Sequence, residues 1–324
     1  MDIPAFQTVG GGFSFAELIA PQDVTAFFEG VHRKRPLHIP GNADKFAFSM
    51  SWELLDGMLD QSAIWTPHTL QLVLNKVTLR PEQYTYQGVG RDGRPTLLVD
   101  FARMRAAVDR GSTILLSDCN TLTPGIKAIC EALGREPGGK VQANLYCSWA
   151  GHQAFDVHYD VGDVFVTQIH GEKIWRIYQQ AVKDPVRHPL FMDTNVHREK
   201  MGVLSAEIVM RPGDMLYIPG GFCHEAMTEH GASIHITYEM KAMTGMDVIP
   251  LLLERAVRDE VMRAPLPHPS ARDGKALEEQ LMRIAGRMRE MLREPAARAY
   301  IEAQMRDFPH PTQGIKLPDD SGKS

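Results

Sequence analysis

The period of apolar and polar positions divides the 324-residue chain into three stretches. Residues 13–60 read as short helices around an extended segment. Ser14-Phe-Ala-Glu17 fits a capping box ahead of an apolar stretch, and Ser51-Trp-Glu-Leu-Leu-Asp-Gly-Met opens another helix. From Thr69 the runs shorten to strand length. Thr69–Thr78 is strand-like, Phe101–Arg110 predicts a helix, and Ser112–Ser117 a buried strand. Thr123–Leu133 predicts a helix with proline in its first turn and Gly134 just past its end. Pro137-Gly-Gly139 then leads into strands filling about 140–240.

Within that region Asp163–His170 alternates apolar and polar, Gly171-Glu172 breaks the run, and Lys173–Tyr178 resumes it, which predicts a hairpin. Lys173 points inward on this strand if Trp175 and Ile177 share its face. Further on, Arg211–Pro219 orders a turn (Pro212-Gly213-Asp214), a short strand and a second turn (Pro219-Gly220-Gly221), followed by His224.

After Glu239 arginine, methionine and leucine dominate with helical periodicity. Leu277, Leu281, Ile284, Met288 and Met291 form an apolar seam of coiled-coil type, open to packing on the chain's own strands or on a second copy. Arg283, Arg287, Arg289 and Arg293 read as a solvated helix face. The expected organisation is a unit over 1–240, a helical region over 241–308 and an irregular tail over 309–324.

Composition narrows the function classes. Apolar content of 44% with 23% charged residues is ordinary for a soluble globular protein. A formal net charge of −5 lacks the basic footprint of a nucleic-acid binder. No run approaches a membrane span, and Met1-Asp-Ile-Pro-Ala lacks a secretory pattern, so a cytoplasmic protein is expected. Four cysteines without Cys-x-x-Cys spacing predict free thiols rather than a zinc knuckle. Gly88-Val-Gly-Arg-Asp-Gly93 nominally fits a dinucleotide fingerprint, but Arg94-Pro95 and an apolar run follow where a helix is needed, so a loop is expected.

The candidate chemistry lies in His158, Asp160 and His224. A His-x-Asp pair is weak alone in a chain with 13 histidines. In an extended strand, however, residues two apart share a face. His158 and Asp160 can therefore grip one ion while His224 arrives from a distant strand. Two imidazoles and one carboxylate leave half of an octahedral ion's positions open, the arrangement of non-haem Fe(II) oxygenases. Lys173, if buried, needs an anion, and a dicarboxylate ligand is one; the alternative is a surface lysine. His152, His170, His230 and His235 remain as spare histidines, any one of which could be recruited to the metal or the substrate, although each taken singly reads as a strand or loop residue.

Asn144-Leu-Tyr146, Gln153, Phe155, His158-Tyr-Asp160, Asp163-Val-Phe165, Gln168, Gly171-x-Lys173-x-Trp175, Pro212-Gly-Asp214, Tyr217-Ile-Pro219, His224 and Ser233-x-His235-x-Thr237 together resemble the Jumonji-C type, cupin-like 2-oxoglutarate oxygenases, nearest the ribosomal oxygenases. Arg35-Pro-Leu-His-Ile-Pro40 is similar to the opening of that family's barrel. The resemblance implies a mainly β fold with α, a double-stranded β-helix (jelly-roll) barrel with N-terminal helices and a C-terminal helical region. It also implies Fe(II) on His158, Asp160 and His224. Lys173 would meet the far carboxylate of 2-oxoglutarate, with Tyr146, Asn144 and Ser233 as pocket walls. The implied reaction is hydroxylation of a side-chain carbon in a protein or peptide, ribosomal or biosynthetic, by a homodimer formed through helices after the barrel.

Ser148-Trp149, Ala154 and Val157 depart from the family pattern at positions expected to line the substrate approach, where Asp156 could meet a basic side chain. Three alternatives stay open: oxygenation of a free small molecule, a non-catalytic cupin-like binding or regulatory protein, and a cupin enzyme that works without 2-oxoglutarate.

Overall fold

The computed structural model describes residues 12–61, 64–90, 93–191 and 201–306. These fall into two compact units, residues up to 136 with 140–241, and residues from 242 with 137–139. The tail expected over 309–324 lies outside the described residues.

In the first unit the helices are α1 (Phe15–Ile19), α2 (Val24–Gly30), α3 (Trp52–Leu59), α4 (Phe101–Val108) and α5 (Pro124–Leu133). Their starts follow local chemistry. Ser14 and Glu17 close the expected capping box, while Ser51, Asp100 and Thr123 each accept from a first-turn amide. Gly134 caps α5 just past its end, as expected, at a right-handed φ of −66°.

The strands are β1 (Leu37–Ile39), β2 (Leu70–Leu74), β3 (Val77–Thr78), β4 (Thr85–Val89), β5 (Pro95–Val99), β6 (Thr113–Leu116), β7 (Lys140–Trp149), β8 (Asp163–His170), β9 (Lys173–Ala181), β10 (Leu204–Met210), β11 (Met215–Ile218), β12 (Phe222–Met227) and β13 (Ala232–Lys241). The single strand expected over Thr69–Thr78 is a hairpin, because Asn75 and Lys76 both take positive φ (49° and 70°) as a two-residue turn requires. Gly88, expected in a loop, lies within β4 and pairs with Thr96 of the antiparallel β5, so a strand stands where the dinucleotide fingerprint needs a helix.

Eight strands form one sheet in the order β1-β11-β8-β13-β7-β6-β2-β3, and three form a second in the order β10-β9-β12. This pairing corrects the hairpin expected at Gly171-Glu172. β8 pairs with β11 and β13, whereas β9 pairs with β10 and β12, so the chain passes from one sheet to the other. Gly171 allows this passage: its φ is +63°, and a Cβ there would stand 1.9 Å from the Ala232 carbonyl oxygen. One core cluster joins Phe165, Tyr217, Ile234, Ile236 and Tyr238 to Phe15, Leu18 and Phe27 of the N-terminal helices. A second joins Val164, Val166, Leu216 and Ile218 of the large sheet to Trp175, Ile177 and Met210 of the small one. The fold is thus a mixed α/β, cupin-like arrangement of antiparallel sheets with helices added.

The second unit contains α6 (Gly245–Ala256), α7 (Glu260–Arg263), α8 (Lys275–Arg293) and α9 (Pro295–Arg306). Arg287 is tied to Asp259 and Glu290 rather than simply solvated, and Arg255 pairs with Glu294 at 2.8 Å. The α8 seam is uneven: Met291 is buried while Leu281 is 49% exposed. On α6 and its C-cap, Met246, Ile249, Leu253 and Val257 recur at helical spacing and are all exposed.

Candidate metal centre

His158 and Asp160 lie in the segment just before β8, and His224 lies on β12. An isolated antiparallel bridge pairs His158 with His224, and the Gly221 amide donates to the Asp160 carbonyl at 2.8 Å. The turn before β12 is fixed from below. Asp163 accepts from the Gly220 amide (2.9 Å) and the Tyr217 hydroxyl (3.0 Å), with the His32 ring 3.3 Å away. Gly221 has φ +88°, and any Cβ would strike the Val182 carbonyl oxygen at 1.9 Å, so only glycine makes this turn. Asp214 braces the preceding turn, accepting from the Arg211 and Gly41 amides at 3.0 Å, and β1 pairs with β11 as the opening motif suggests.

One ligand atom from each of His158, Asp160 and His224 lies within 4.8 Å of the others. Each imidazole is oriented by a backbone carbonyl: Nδ1 of His158 meets Asp156 O at 2.8 Å, and Nδ1 of His224 meets Phe222 O at 3.0 Å. A carbonyl can only accept, so each Nδ1 carries the proton and each Nε2 presents its lone pair, the second-sphere pattern of metal-binding histidines. Burial, and then the neighbouring His224, lower the pKa of His158. Burial also opposes a charge on His224, but Asp160 at 3.4 Å outweighs it and raises that group. Asp160 stays below the usual carboxylate range: burial pushes it up, and the two histidines pull it further down.

The three side chains open into a cavity of about 650 Å3, mouth included, whose walls come from β7, β8 and β13 of the large sheet and β9 and β12 of the small one. Lys173 stands in this cavity at 3% exposure, on the inward face it shares with Trp175 and Ile177. Its Nζ donates to Ser148 Oγ and Thr228 Oγ1, both at 3.0 Å, and no carboxylate among the described residues pairs with it. Burial lowers its pKa to about 8. A buried ammonium resting on two neutral hydroxyls is incomplete without an anion.

Residues 119–248 match the JmjC domain family. This segment of the chain is a JmjC domain. It is 26% identical over 265 residues to the bifunctional lysine-specific demethylase and histidyl-hydroxylase NO66 of Drosophila persimilis, a match covering 79% of this chain and 36% of that one. It is 29% identical over 276 residues to ribosomal oxygenase 2 of Bos taurus, covering 78% and 54%. The chain therefore spans about half or less of the length of these curated relatives. Among solved structures, YcfD, a ribosomal oxygenase from Escherichia coli in complex with cobalt and 2-oxoglutarate, aligns with TM-score 0.59 at 17% identity over 89% of this chain and 71% of that one. At that identity the likeness is one of fold.

Within the JmjC domain, Asn144 and Tyr146 line the cavity from β7. Asn144 Oδ1 accepts from the Asp118 amide at 3.2 Å, and Tyr146 packs edge-on against Phe155. Ser233 is fully buried but is not among the cavity-lining residues; its hydroxyl accepts from Gln168 Nε2 at 2.9 Å. Ser148, expected at the substrate approach, instead sits 1% exposed at Lys173, since its side chain falls on the inward face of β7. Asp156, expected to meet a basic substrate, is already paired with Lys76 from the β2–β3 turn. Sequence reasoning missed Glu225. It is 1% exposed, accepts from Gln153 Nε2 (2.9 Å) and the Tyr178 hydroxyl, and so ties the ligand-bearing segment to β12 and β9. Of the four spare histidines named from the sequence, His235 lines the cavity, as the alternation along Ser233-x-His235-x-Thr237 allows.

Proposed function

We propose that this JmjC domain protein is an Fe(II)- and 2-oxoglutarate-dependent oxygenase that hydroxylates a carbon of an amino-acid side chain in a protein or peptide. The carrying observation is that one cavity holds both a His-Asp-His ligand set and a buried lysine that no carboxylate among the described residues partners. The donor set suits a divalent iron with open positions. The lysine, together with the unbonded Nε1 of Trp175 and Nδ1 of His235, suits an anionic co-substrate. We read the two sheets as the faces of a double-stranded β-helix barrel over residues 1–240, with 241–308 as the helical addition.

When bound, iron supplies the oxygen activation that couples 2-oxoglutarate decarboxylation to C–H hydroxylation. The chain's residues do the rest. Nε2 of His158, Nε2 of His224 and the Asp160 carboxylate hold the ion on one side. Lys173 draws the distal carboxylate of 2-oxoglutarate to the cavity floor, where Ser148 and Thr228 keep its Nζ aimed. Asn144 and Tyr146 wall the pocket, Ser233 braces it through Gln168, and Phe155 and Trp175 exclude water.

A polypeptide substrate is supported by relatives named for ribosomal or histidyl oxygenation, with ribosomal protein first and a biosynthetic peptide second. A homodimer is what the same resemblance implies, and the exposed apolar stripe along α6 supports it. Nucleic acid is not an expected partner, and no described helix is long and apolar enough to cross a membrane.

The test is incubation of the purified protein with Fe(II), 2-oxoglutarate, oxygen and ribosomal proteins or candidate peptides. Succinate formation and a mass gain of one oxygen atom on a defined residue are expected. Succinate stimulated only by a small metabolite would replace the polypeptide reading, and no succinate at all would end the oxygenase one.

A further inference from the structure

Side chains along β13 alternate between core and cavity: Ile234, Ile236 and Tyr238 enter the core, whereas His235 and Thr237 face the cavity. His235 is 3% exposed. Its ring lies flat on Tyr146, with centroids 4.8 Å apart and planes 3° from parallel, and meets Trp175 edge-on at 5.6 Å. Two aromatic neighbours therefore fix its orientation. Yet Nδ1, wholly enclosed, has no hydrogen-bond partner among the described residues. Buried ring nitrogens are normally satisfied, so an orphaned one on a ring that lines a ligand cavity marks a contact that a ligand completes. The metal does not explain it, because His158, Asp160 and His224 form the ligand cluster without His235.

Lys173 supplies the second half of the argument. Two of its three N–H groups are engaged by Ser148 and Thr228, leaving one for an anion. A carboxylate has two oxygens and accepts more than one donor. Burial first, and the nearby charge of Lys173 second, hold the pKa of His235 well below its ordinary value, so the ring is neutral. A neutral imidazole carries one N–H and adds no repulsion beside the ammonium.

We propose that His235 is a specificity-determining residue whose Nδ1–H donates to the distal carboxylate of the 2-oxo acid, so that Lys173 and His235 grip that carboxylate from two sides. This rests on reading the cavity as a 2-oxoglutarate pocket. It goes further in assigning the choice between dicarboxylic and monocarboxylic 2-oxo acids to a residue on β13.

The experiment uses the full chain loaded with Fe(II) under anaerobic conditions, with the visible absorption of the metal–2-oxo acid chelate read during titration, so that turnover is not needed. His235→Phe keeps a flat ring against Tyr146 and removes both nitrogens; His235→Asn keeps a donor near the Nδ1 position. His235→Phe should bind 2-oxoglutarate about tenfold more weakly, the effect of losing one hydrogen bond to a charged group. Its binding of pyruvate, which lacks the distal carboxylate, should not change, and His235→Asn should recover most of the 2-oxoglutarate affinity. Equal binding of 2-oxoglutarate by the parent and His235→Phe overturns the proposal, as does an equal loss for pyruvate. If the parent itself binds no 2-oxoglutarate, the pocket reading falls and this inference falls with it. Should His235→Phe not fold, His235→Leu, which also removes both nitrogens, decides by the same two titrations: weaker 2-oxoglutarate binding with unchanged pyruvate binding supports the role, and unchanged 2-oxoglutarate binding overturns it.

Discussion

His158 and His224 exchange both backbone hydrogen bonds, at 3.0 and 2.8 Å, across an isolated antiparallel bridge. Two ligands far apart in sequence thus occupy directly paired backbone positions, and their ring centroids stand 4.6 Å apart. Asp160 joins them through its backbone carbonyl, which the Gly221 amide holds. The frame of the site is therefore main chain, and the side chains can be removed singly without undoing it. Asp160→Ala should retain the fold and lower Fe(II) or Co(II) affinity by about a hundredfold or more, since even outer-sphere partners of metal ligands are typically worth 10–100-fold. Calorimetric titration with Co(II) beside a thermal melt checks this; metal affinity equal to the parent's would refute the ligand set.

Lys173→Ala should weaken 2-oxoglutarate binding by roughly 2–5 kcal/mol, the cost of truncating one partner of a desolvated charge pair, while metal affinity stays near the parent's. The pH dependence carries the same signature. With its pKa lowered to about 8, Lys173 loses its charge as pH rises through that value, and 2-oxoglutarate affinity should fall there. Stability moves the opposite way. Between about 8 and the unfolded value of 10.5 the unfolded chain holds a proton that the folded chain has released, so the ligand-free fold gains stability as pH rises. Ligand titrations and denaturant melts across this window check both signs.

Asp163→Ala should destabilise the first unit by roughly 3–5 kcal/mol, because a buried charge and its partners lose one another. Asp163 titrates below 3.8: burial raises it, but His32, the Gly220 amide and the Tyr217 hydroxyl together lower it further. Its contribution is therefore complete above the unfolded pKa and is lost as pH falls through the folded one. Acid melts of Asp163→Asn should lack that part of the decline; an unchanged acid profile would count against the anchor.

Leu253→Glu combined with Val257→Glu should convert the parent from dimer to monomer in sedimentation, since both side chains, on α6 and at its C-cap, are more than half exposed. Leu281→Glu with Ile284→Glu tests the α8 seam in the same way. A parent that sediments as a monomer at micromolar concentration removes the dimer.

Local signals survived into the structure where they were strongest. The capping box at Ser14, the proline-first helix from Pro124 and the fully buried β6 were all legible, because caps, fixed φ angles and apolar runs act within a few residues. The inward face of Lys173 was legible from its alternation with Trp175 and Ile177. The pairing of β8 and β9 was not: alternation gives a strand's faces but not its neighbours, and a glycine turn serves a sheet crossing as well as a hairpin. Ser148 was misplaced because its function comes from Lys173 on another sheet. Asp156 was misjudged because its partner, Lys76, arrives from a turn that looked like continuous strand.

The crossing at Gly171-Glu172 also bears on how the chain assembles. A hairpin there would let β8 and β9 zip together early and locally. Instead each strand waits for partners from much later in the sequence, which raises contact order and places folding among slower, non-local topologies. Until β11 and β13 arrive, Val164-Phe-Val166 has no ladder on either side, and such transiently unpaired apolar strands are where aggregation begins. Growth temperature and co-expressed chaperones should therefore govern the yield of soluble protein more strongly than any substitution within the cavity.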